Sequence, residues 1–260
     1  MTVRVVALGV RVCGLVAVAA LVCGCGVEAS EDKDPDQRSF ALSGRTLTVD
    51  SDDSRLELVP STSDRVRVTQ WFKGRVVVGG SPEASWSVRG NTLRLRVKCR
   101  GFMADCATRH RVEVPSGVAV TVRDGDGPVS ARGFRSALDV ESGDGAIKVE
   151  DSSGPLTLRT SDGSVRASGI RSASVRVSTG DGSVRLSLVS VPDRVEARTG
   201  DGSARVALPR ADGAGAEVGY RVRTSTGDGS VDVGVRRDDR SRHRVDVRTG
   251  DGRITVRNAN

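Results

Sequence analysis

The sequence predicts an all-β chain, most of it a β-solenoid in which short coils stack on one another. Three observations carry this expectation. A Gly-Asp-Gly corner (Ser-Asp-Gly once) recurs seven times, centred on Asp126, Asp144, Asp162, Asp181, Asp201, Asp228 and Asp251. The centres lie 18, 18, 19, 20, 27 and 23 residues apart, a period that marks a stacked repeat array. Around each Asp, positions −6, −4, +3 and +5 are apolar, as in Val175, Val177, Val184 and Leu186; Thr224 is the lone exception. The residues between them are polar, as in Arg176 and Arg185. That is period-two alternation, so each copy reads strand, corner, strand. Finally, Val dominates the apolar positions, as a half-buried pleated surface favours.

At the corner, Gly is expected to supply positive φ and Asp to hydrogen-bond its own local backbone. A two-residue Gly-Asp loop would set −4 opposite +3, so a chain of hairpins shares the same parity. Stacked coils are favoured because fourteen short strands in an open meander would leave a long apolar face uncovered.

Residues 1–25 stand outside the fold. Arg4 and Arg11 make a basic start, and Val12–Val22 is an apolar run too short for a comfortable membrane span. The run ends in Val22-Cys23-Gly24-Cys25, which resembles the lipobox of bacterial lipoproteins. That resemblance implies a diacylglyceryl thioether on Cys25 and a protein anchored by lipid on the extracytoplasmic face of the cell membrane. The competing expectation is an ordinary cleaved signal and a soluble product. Residues 26–39 are polar and acidic and read as a flexible tether.

Residues 40–115 alternate irregularly, as in Leu47/Val49, Leu56/Leu58, Val66/Val68 and Leu93/Leu95/Val97. Phe40, Trp71, Phe72, Trp86 and Phe102 fall here, whereas the repeats hold only Phe134 and Tyr220. A separate core composition suits a cap that closes one end of the array. A binding platform formed by Trp71 and Trp86 is the alternative. Cys99 and Cys106 form an even pair outside the cytoplasm, for which a disulfide is expected, worth roughly 2–3 kcal/mol by chain entropy. Residues 116–260 are the repeat array.

Several stretches together resemble a bacterial envelope family of putative adhesins built from β-strand repeats. They are Cys99-Arg100-Gly101-Phe102 with Cys106, then Arg111-Val112-Glu113-Val114-Pro115-Ser116-Gly117-Val118, then the run of Gly-Asp-Gly corners. The resemblance implies a solenoid-like fold and an extracytoplasmic location, with no established activity.

The chemistry legible in the sequence is sparse. His110 and His243 are the only histidines, and neither sits in a nucleophile or zinc motif. No phosphate-cradling loop is present. No catalytic residue, metal site or cofactor is predicted, and a polysaccharide-cleaving β-helix enzyme is the minor alternative. The aspartate row invites calcium, but it departs from the nine-residue calcium β-roll pattern. Arg166, Arg185, Arg205 and Arg253 are the expected counter-charges.

Between copies the loops run 6, 6, 7, 8, 15 and 11 residues. The long ones, Ala207–Arg221 and Gly234–Arg244, mark a candidate binding face. The second carries Arg236, Arg237, Arg240 and Arg242. The chain has a formal charge of +7, and +5 without Arg4 and Arg11. That favours anionic cell-envelope polymers or headgroups over neutral sugars as partner; a surface protein is the other candidate partner. Nucleic acid is disfavoured, because Arg is mixed with Asp and Glu and no aromatics interleave for stacking. A purely structural envelope protein without a ligand is the alternative.

Overall fold

A computed structural model of the chain describes residues 32–259. The signal sequence, Cys25 and the first part of the expected tether lie outside the described residues. Alternating Val and Leu favour extended backbone, and the described residues form strands and no helix. The first nine are β1 (Asp36–Phe40), β2 (Thr46–Ser51), β3 (Arg55–Ser61), β4 (Val66–Arg75), β5 (Val78–Gly79), β6 (Glu83–Arg89), β7 (Thr92–Lys98), β8 (Gly101–Phe102) and β9 (Asp105–Pro115). Each repeat then gives one strand before its corner and one after. The pairs are β10 (Ala119–Asp124) and β11 (Val129–Arg132), β12 (Leu138–Ser142) and β13 (Ile147–Glu150), β14 (Leu156–Thr160) and β15 (Val165–Ile170), β16 (Ser174–Ser178) and β17 (Val184–Leu188). They continue with β18 (Arg194–Arg198) and β19 (Ala204–Leu208), β20 (Arg221–Ser225) and β21 (Val231–Gly234), β22 (Arg244–Arg248) and β23 (Ile254–Asn258).

No copy is a hairpin. Strands before the corners lie in a ten-stranded sheet, and strands after them in an eleven-stranded sheet. Each pairs in parallel with its counterpart in a neighbouring copy, so Val120 and Val122 sit beside Leu138 and Val140. Val129 and Ala131 likewise sit beside Ile147 and Val149. The inward rows of both sheets form one continuous core, with Val122, Val140, Leu158, Val177 and Val206 fully buried. Each such side chain stabilises the fold by about 1.5–3 kcal/mol. The β-solenoid expected from the repeat is the fold, and its buried core runs from Leu47 to Val256, with Phe40 and Leu42 packed against it.

The irregular stretch before the repeats contributes coils of its own. β2 pairs in parallel with β10 and β3 with β11, so Ser51-Asp52-Asp53-Ser54 is a further acidic corner. β7 and β9 form a coil on the outer side of β2 and β3. Beyond it the sense changes: β6 runs antiparallel to β7, β4 to β9, and β1 to β4. These strands close that end of the stack. The corner joining β7 to β9 is enlarged, with 13 residues between Leu95 and Arg109 where 3 separate their partners Ser51 and Arg55. The excess and the β4–β6 connection together form a projection, in which β5 and β8 make a small antiparallel ladder and the Cys99–Cys106 disulfide closes the base.

At the other end the copies do not stack in the order in which they are written. β22 lies between β18 and β20, and β23 between β19 and β21. The seventh copy therefore fills a gap between the fifth and the sixth. This accounts for the two long loops. One must climb two coil heights, about 9.6 Å, instead of one, and the other must return. They fasten to each other around Tyr220, which is fully buried. Tyr220 N–H donates to Arg236 O, its carbonyl accepts from Asp238 N–H, and its hydroxyl donates to Pro209 O at 2.7 Å. Thr224, the one polar residue at a core position, belongs to the terminal coil and is half-buried.

The corners work differently from the sequence expectation. Among the described residues, no corner glycine has positive φ. Their requirement is space: a Cβ on Gly145 would sit 2.1 Å from Gly127 O, and one on Gly182 2.0 Å from Gly163 O. Aspartate reaches the next coil instead of its own turn. Asp53 Oδ1 accepts from Asp126 N–H at 3.4 Å, and Asp126 Oδ1 from Asp144 N–H at 3.3 Å. Backbone bonds run in the same direction, as from Gly143 N–H to Gly125 O and from Ser161 N–H to Gly143 O.

Candidate anion-binding face

Period-two alternation that buries Val195, Ala197, Val245 and Val247 in the core must turn their neighbours to the outer face of the sheet. Parallel register then lines those neighbours up in columns across β18, β22 and β20. Arg194, Arg244 and Arg221 form one column, Glu196, Asp246 and Arg223 the next, and Arg198 and Arg248 the third. These eight side chains line a concavity of about 340 Å³ with a formal charge of +4. Like charges directly opposite across strands destabilise a sheet, so a column of three arginines is a cost to the fold.

Only part of this charge is neutralised internally. Glu196 is buried among Arg176 at 3.3 Å, Arg194 at 3.4 Å and Arg198. Burial pushes its carboxyl up, but the Arg176 hydrogen bond and the charges of Arg198, Arg194 and Arg176 outweigh that and hold it below the ordinary glutamate value. Among the described residues, Arg221, Arg223, Arg244 and Arg248 make no ion pair, nor does Asp246. Guanidinium groups without ion pairs, set on strands in register, suit carboxylate or phosphate oxygens, which they can engage in bidentate fashion.

A second column crosses the opposite sheet, where Arg166, Arg185 and Arg205 lie in register. The expected pairing of Arg166, Arg185, Arg205 and Arg253 with the corner aspartates is absent among the described residues. Strand alternation points these arginines off the sheet face, whereas the carboxylates lie along the corner edge. Asp53, Asp126, Asp144, Asp162, Asp181, Asp201, Asp251 and Asp228 follow one another along that edge, and those from Asp126 onward are exposed. No three His, Cys, Asp or Glu side chains among the described residues group as a metal cage.

Arg236, Arg237, Arg240 and Arg242 lie on the returning crossover rather than in the concavity. Arg236 contacts Glu217 at 3.4 Å, and Arg242 Nε points to His243. Arg221 Nε donates to Asp239 O at 2.6 Å and ties this loop to the rim of the arginine face. Trp71 and Trp86 form no common platform, since β4 and β6 belong to different sheets. Arg109 stacks on Trp71 and Arg38 on Trp86. His110 is buried with Nε2 at 2.9 Å from Gln70 Oε1, and burial lowers its pKa to about 4. His243 Nδ1 lies 2.8 Å from Pro192 O.

Sequence reasoning missed a column of hydroxyls two residues before each corner Asp. Thr160 Oγ1 donates to Gly143 O at 2.7 Å, and Thr179, Thr199 and Thr249 likewise bond Gly163, Gly182 and Gly202 carbonyls. The signal was present, because that position is Ser or Thr in six of the seven copies. In the first copy it is Asp124, nine-tenths buried. Burial, together with the charges of Asp53 and Asp126, raises its pKa to about 7 against the opposing pull of Ser51 and Gly127 N–H.

Residues 110–257 match the family model described as Toastrack DUF4097. No curated protein matches the chain. Three solved structures are similar along nearly the whole chain. A putative adhesin from Parabacteroides merdae is 11% identical over 90% of this chain and 99% of its own, with a TM-score of 0.48. A putative adhesin from Parabacteroides distasonis is 10% identical over 86% and 97%, with a TM-score of 0.43. A putative cell adhesion protein from Clostridium sporogenes is 12% identical over 87% and 100%, with a TM-score of 0.37.

Proposed function

The chain belongs to the Toastrack DUF4097 family, and from that premise we propose that it is an adhesin-type, non-catalytic interaction module of the cell envelope. In this reading a lipid on Cys25 holds it at the extracytoplasmic face of a membrane. Its ligand is an anionic envelope polymer, bound across the arginine columns of β18, β22 and β20. The observation that carries the reading is the set of four arginines, Arg221, Arg223, Arg244 and Arg248, that line one concavity without an ion-pair partner among the described residues. A solenoid face with fixed strand spacing holds the backbone positions of these charges in a regular array, so no backbone ordering is needed on binding. No reaction is assigned, and the buried or backbone-bound state of the two histidines supports that.

The test is co-sedimentation of residues 26–260, which contain the whole described core, with purified cell walls across a salt series. Saturable binding that weakens with salt is expected, falling at least tenfold in Arg244→Glu/Arg248→Glu. Arg236→Glu/Arg240→Glu should weaken it less, because those side chains stand on the crossover. No binding at low salt would overturn the reading in favour of a structural envelope protein without a dedicated ligand.

A further inference from the structure

Six large apolar side chains are exposed among the described residues, and four of them share one place. Val77 and Val78 are 58% and 65% exposed, and Phe102 and Met103 are 68% and 67%. All four belong to the projection that carries β5 and β8, where Val78 pairs with Phe102. Scattered apolar residues on a surface need no explanation, but a concentrated apolar tip does.

The tip is built to hold its shape. The Cys99–Cys106 disulfide closes its base. Gly79 and Gly101 face each other across the ladder so closely that a Cβ on Gly79 would come within 2.6 Å of Gly101 Cα. Met103 adopts φ of 50°, a left-handed conformation that a side-chain-bearing residue rarely takes, and it turns an apolar side chain to solvent. Lys73, Arg75, Lys98 and Arg100 surround the tip against Glu83 and Asp105, so its collar is net basic. An apolar end ringed by cations matches an anionic bilayer surface, with the apolar side chains among the acyl chains and the cations among the headgroups.

The path of the chain favours the same partner. Asp32, the first described residue, accepts a hydrogen bond from Phe72 N–H on the strand that runs into the tip. Cys25 precedes Asp32 by seven residues, which span at most about 25 Å even when fully extended. A lipid on Cys25 would therefore hold the tip within reach of the bilayer. The exposed corner carboxylates lie along the same edge of the stack as the projection, and they would be repelled by an anionic surface. The tip alone, not the long edge, can approach.

We propose that the β5/β8 projection is a membrane-docking tip that inserts Val77, Val78, Phe102 and Met103 into an anionic lipid surface. The orientation part of this rests on the lipid anchor proposed above; the affinity of the tip does not. Flotation of residues 26–260, which carry no acyl chain, therefore tests the tip separately. The probes are vesicles of phosphatidylcholine alone and of phosphatidylcholine with phosphatidylglycerol. Flotation with the anionic vesicles is expected and should weaken with salt. Phe102→Ser/Met103→Ser should reduce the bound fraction at least fivefold without changing the melting temperature or cell-wall binding. Arg75→Glu/Arg100→Glu should abolish the preference for anionic vesicles. Absence of flotation, or flotation of the Phe102→Ser/Met103→Ser variant equal to wild type, would overturn the proposal. A mature protein without lipid on Cys25, shown by mass spectrometry, would remove the anchor and leave the tip result standing.

Discussion

The two ends of the stack solve one problem in different ways. Parallel coils leave an open edge and an uncovered core at each end, which a solenoid must close. At the β7/β9 end the chain reverses direction, adds β6, β4 and β1 antiparallel, and supplies Phe40, Trp86 and Val88 to the core. At the β20/β21 end nothing among the described residues covers the last coil, and Val231 stands 44% exposed where its counterpart Val184 is fully buried. Closure there comes from chain order: the final copy slides inward, and the crossovers lock around Tyr220. Covering an end takes new residues, whereas reordering coils only moves the exposed one and pins it. The bare end should accordingly be the softer one.

The largest expected effect tests the inverted order directly. Gly252→Val puts a side chain 2.0 Å from Gly202 O inside the stack, and Gly229→Val puts one 1.8 Å from Gly252 O in the outermost coil. Gly252→Val should cost about 4 kcal/mol or more and prevent folding, whereas Gly229→Val should fray one coil at about 1–2 kcal/mol. Urea unfolding followed by circular dichroism compares them. Equal costs would break the argument from stacking order. Next in size is Tyr220→Ala, expected to lower stability by about 3–5 kcal/mol in the same measurement. Tyr220→Phe should lose only about 1 kcal/mol with the Pro209 hydrogen bond. Replacing Cys99 and Cys106 with Ser at the capped end should cost roughly 2–3 kcal/mol, less than losing the pin at the bare end.

The smallest effects separate two groups near the capped end by pH. Asp124 has a folded-state pKa raised from 3.8 to about 7, so its contribution is fully present below pH 4 and lost as pH rises towards 7. His110 has its pKa lowered to about 4, so the protein loses stability as pH falls from 6.5 to 4. The two slopes oppose each other between pH 4 and 6.5. Asp124→Thr restores the hydroxyl of the other copies, and it should raise stability at pH 8 by about 1–2 kcal/mol. It should also expose a steeper loss on acidification through His110. Thermal melts from pH 4 to 8 decide this: identical profiles for wild type and Asp124→Thr would remove Asp124 from the account.

Alternation makes the strands and the core legible in the sequence, because one face must be buried and the period is two. Thus Val120, Val122, Val129 and Ala131 lie in the core with their counterparts in every copy but the terminal sixth, where Val231 is exposed. The Cys99–Cys106 disulfide is likewise in place. Stacking order is another matter. Parity at Val222 or Val245 is the same whichever copy lies alongside, so nothing local says that Val245 pairs with Val195. The arginine face depends on that order: Arg194, Arg244 and Arg221 become neighbours only when the seventh copy enters between the fifth and sixth. Corner glycines carry a similar ambiguity, since the same residue serves positive φ and tight approach, and only the distance to the carbonyl of the preceding coil distinguishes them.

The inserted last copy also bears on when the protein can be finished. A chain emerging from its N-terminus can add one coil after another up to β19, each new coil resting on one already in place. The sixth copy emerges next with no finished surface to dock on, because its only neighbour is the copy still to come. Residues 244–258 thus complete both, and assembly of this end waits for the final strand. A chain stopped a few residues short would lose an internal coil, and with it the docking surface of the terminal one.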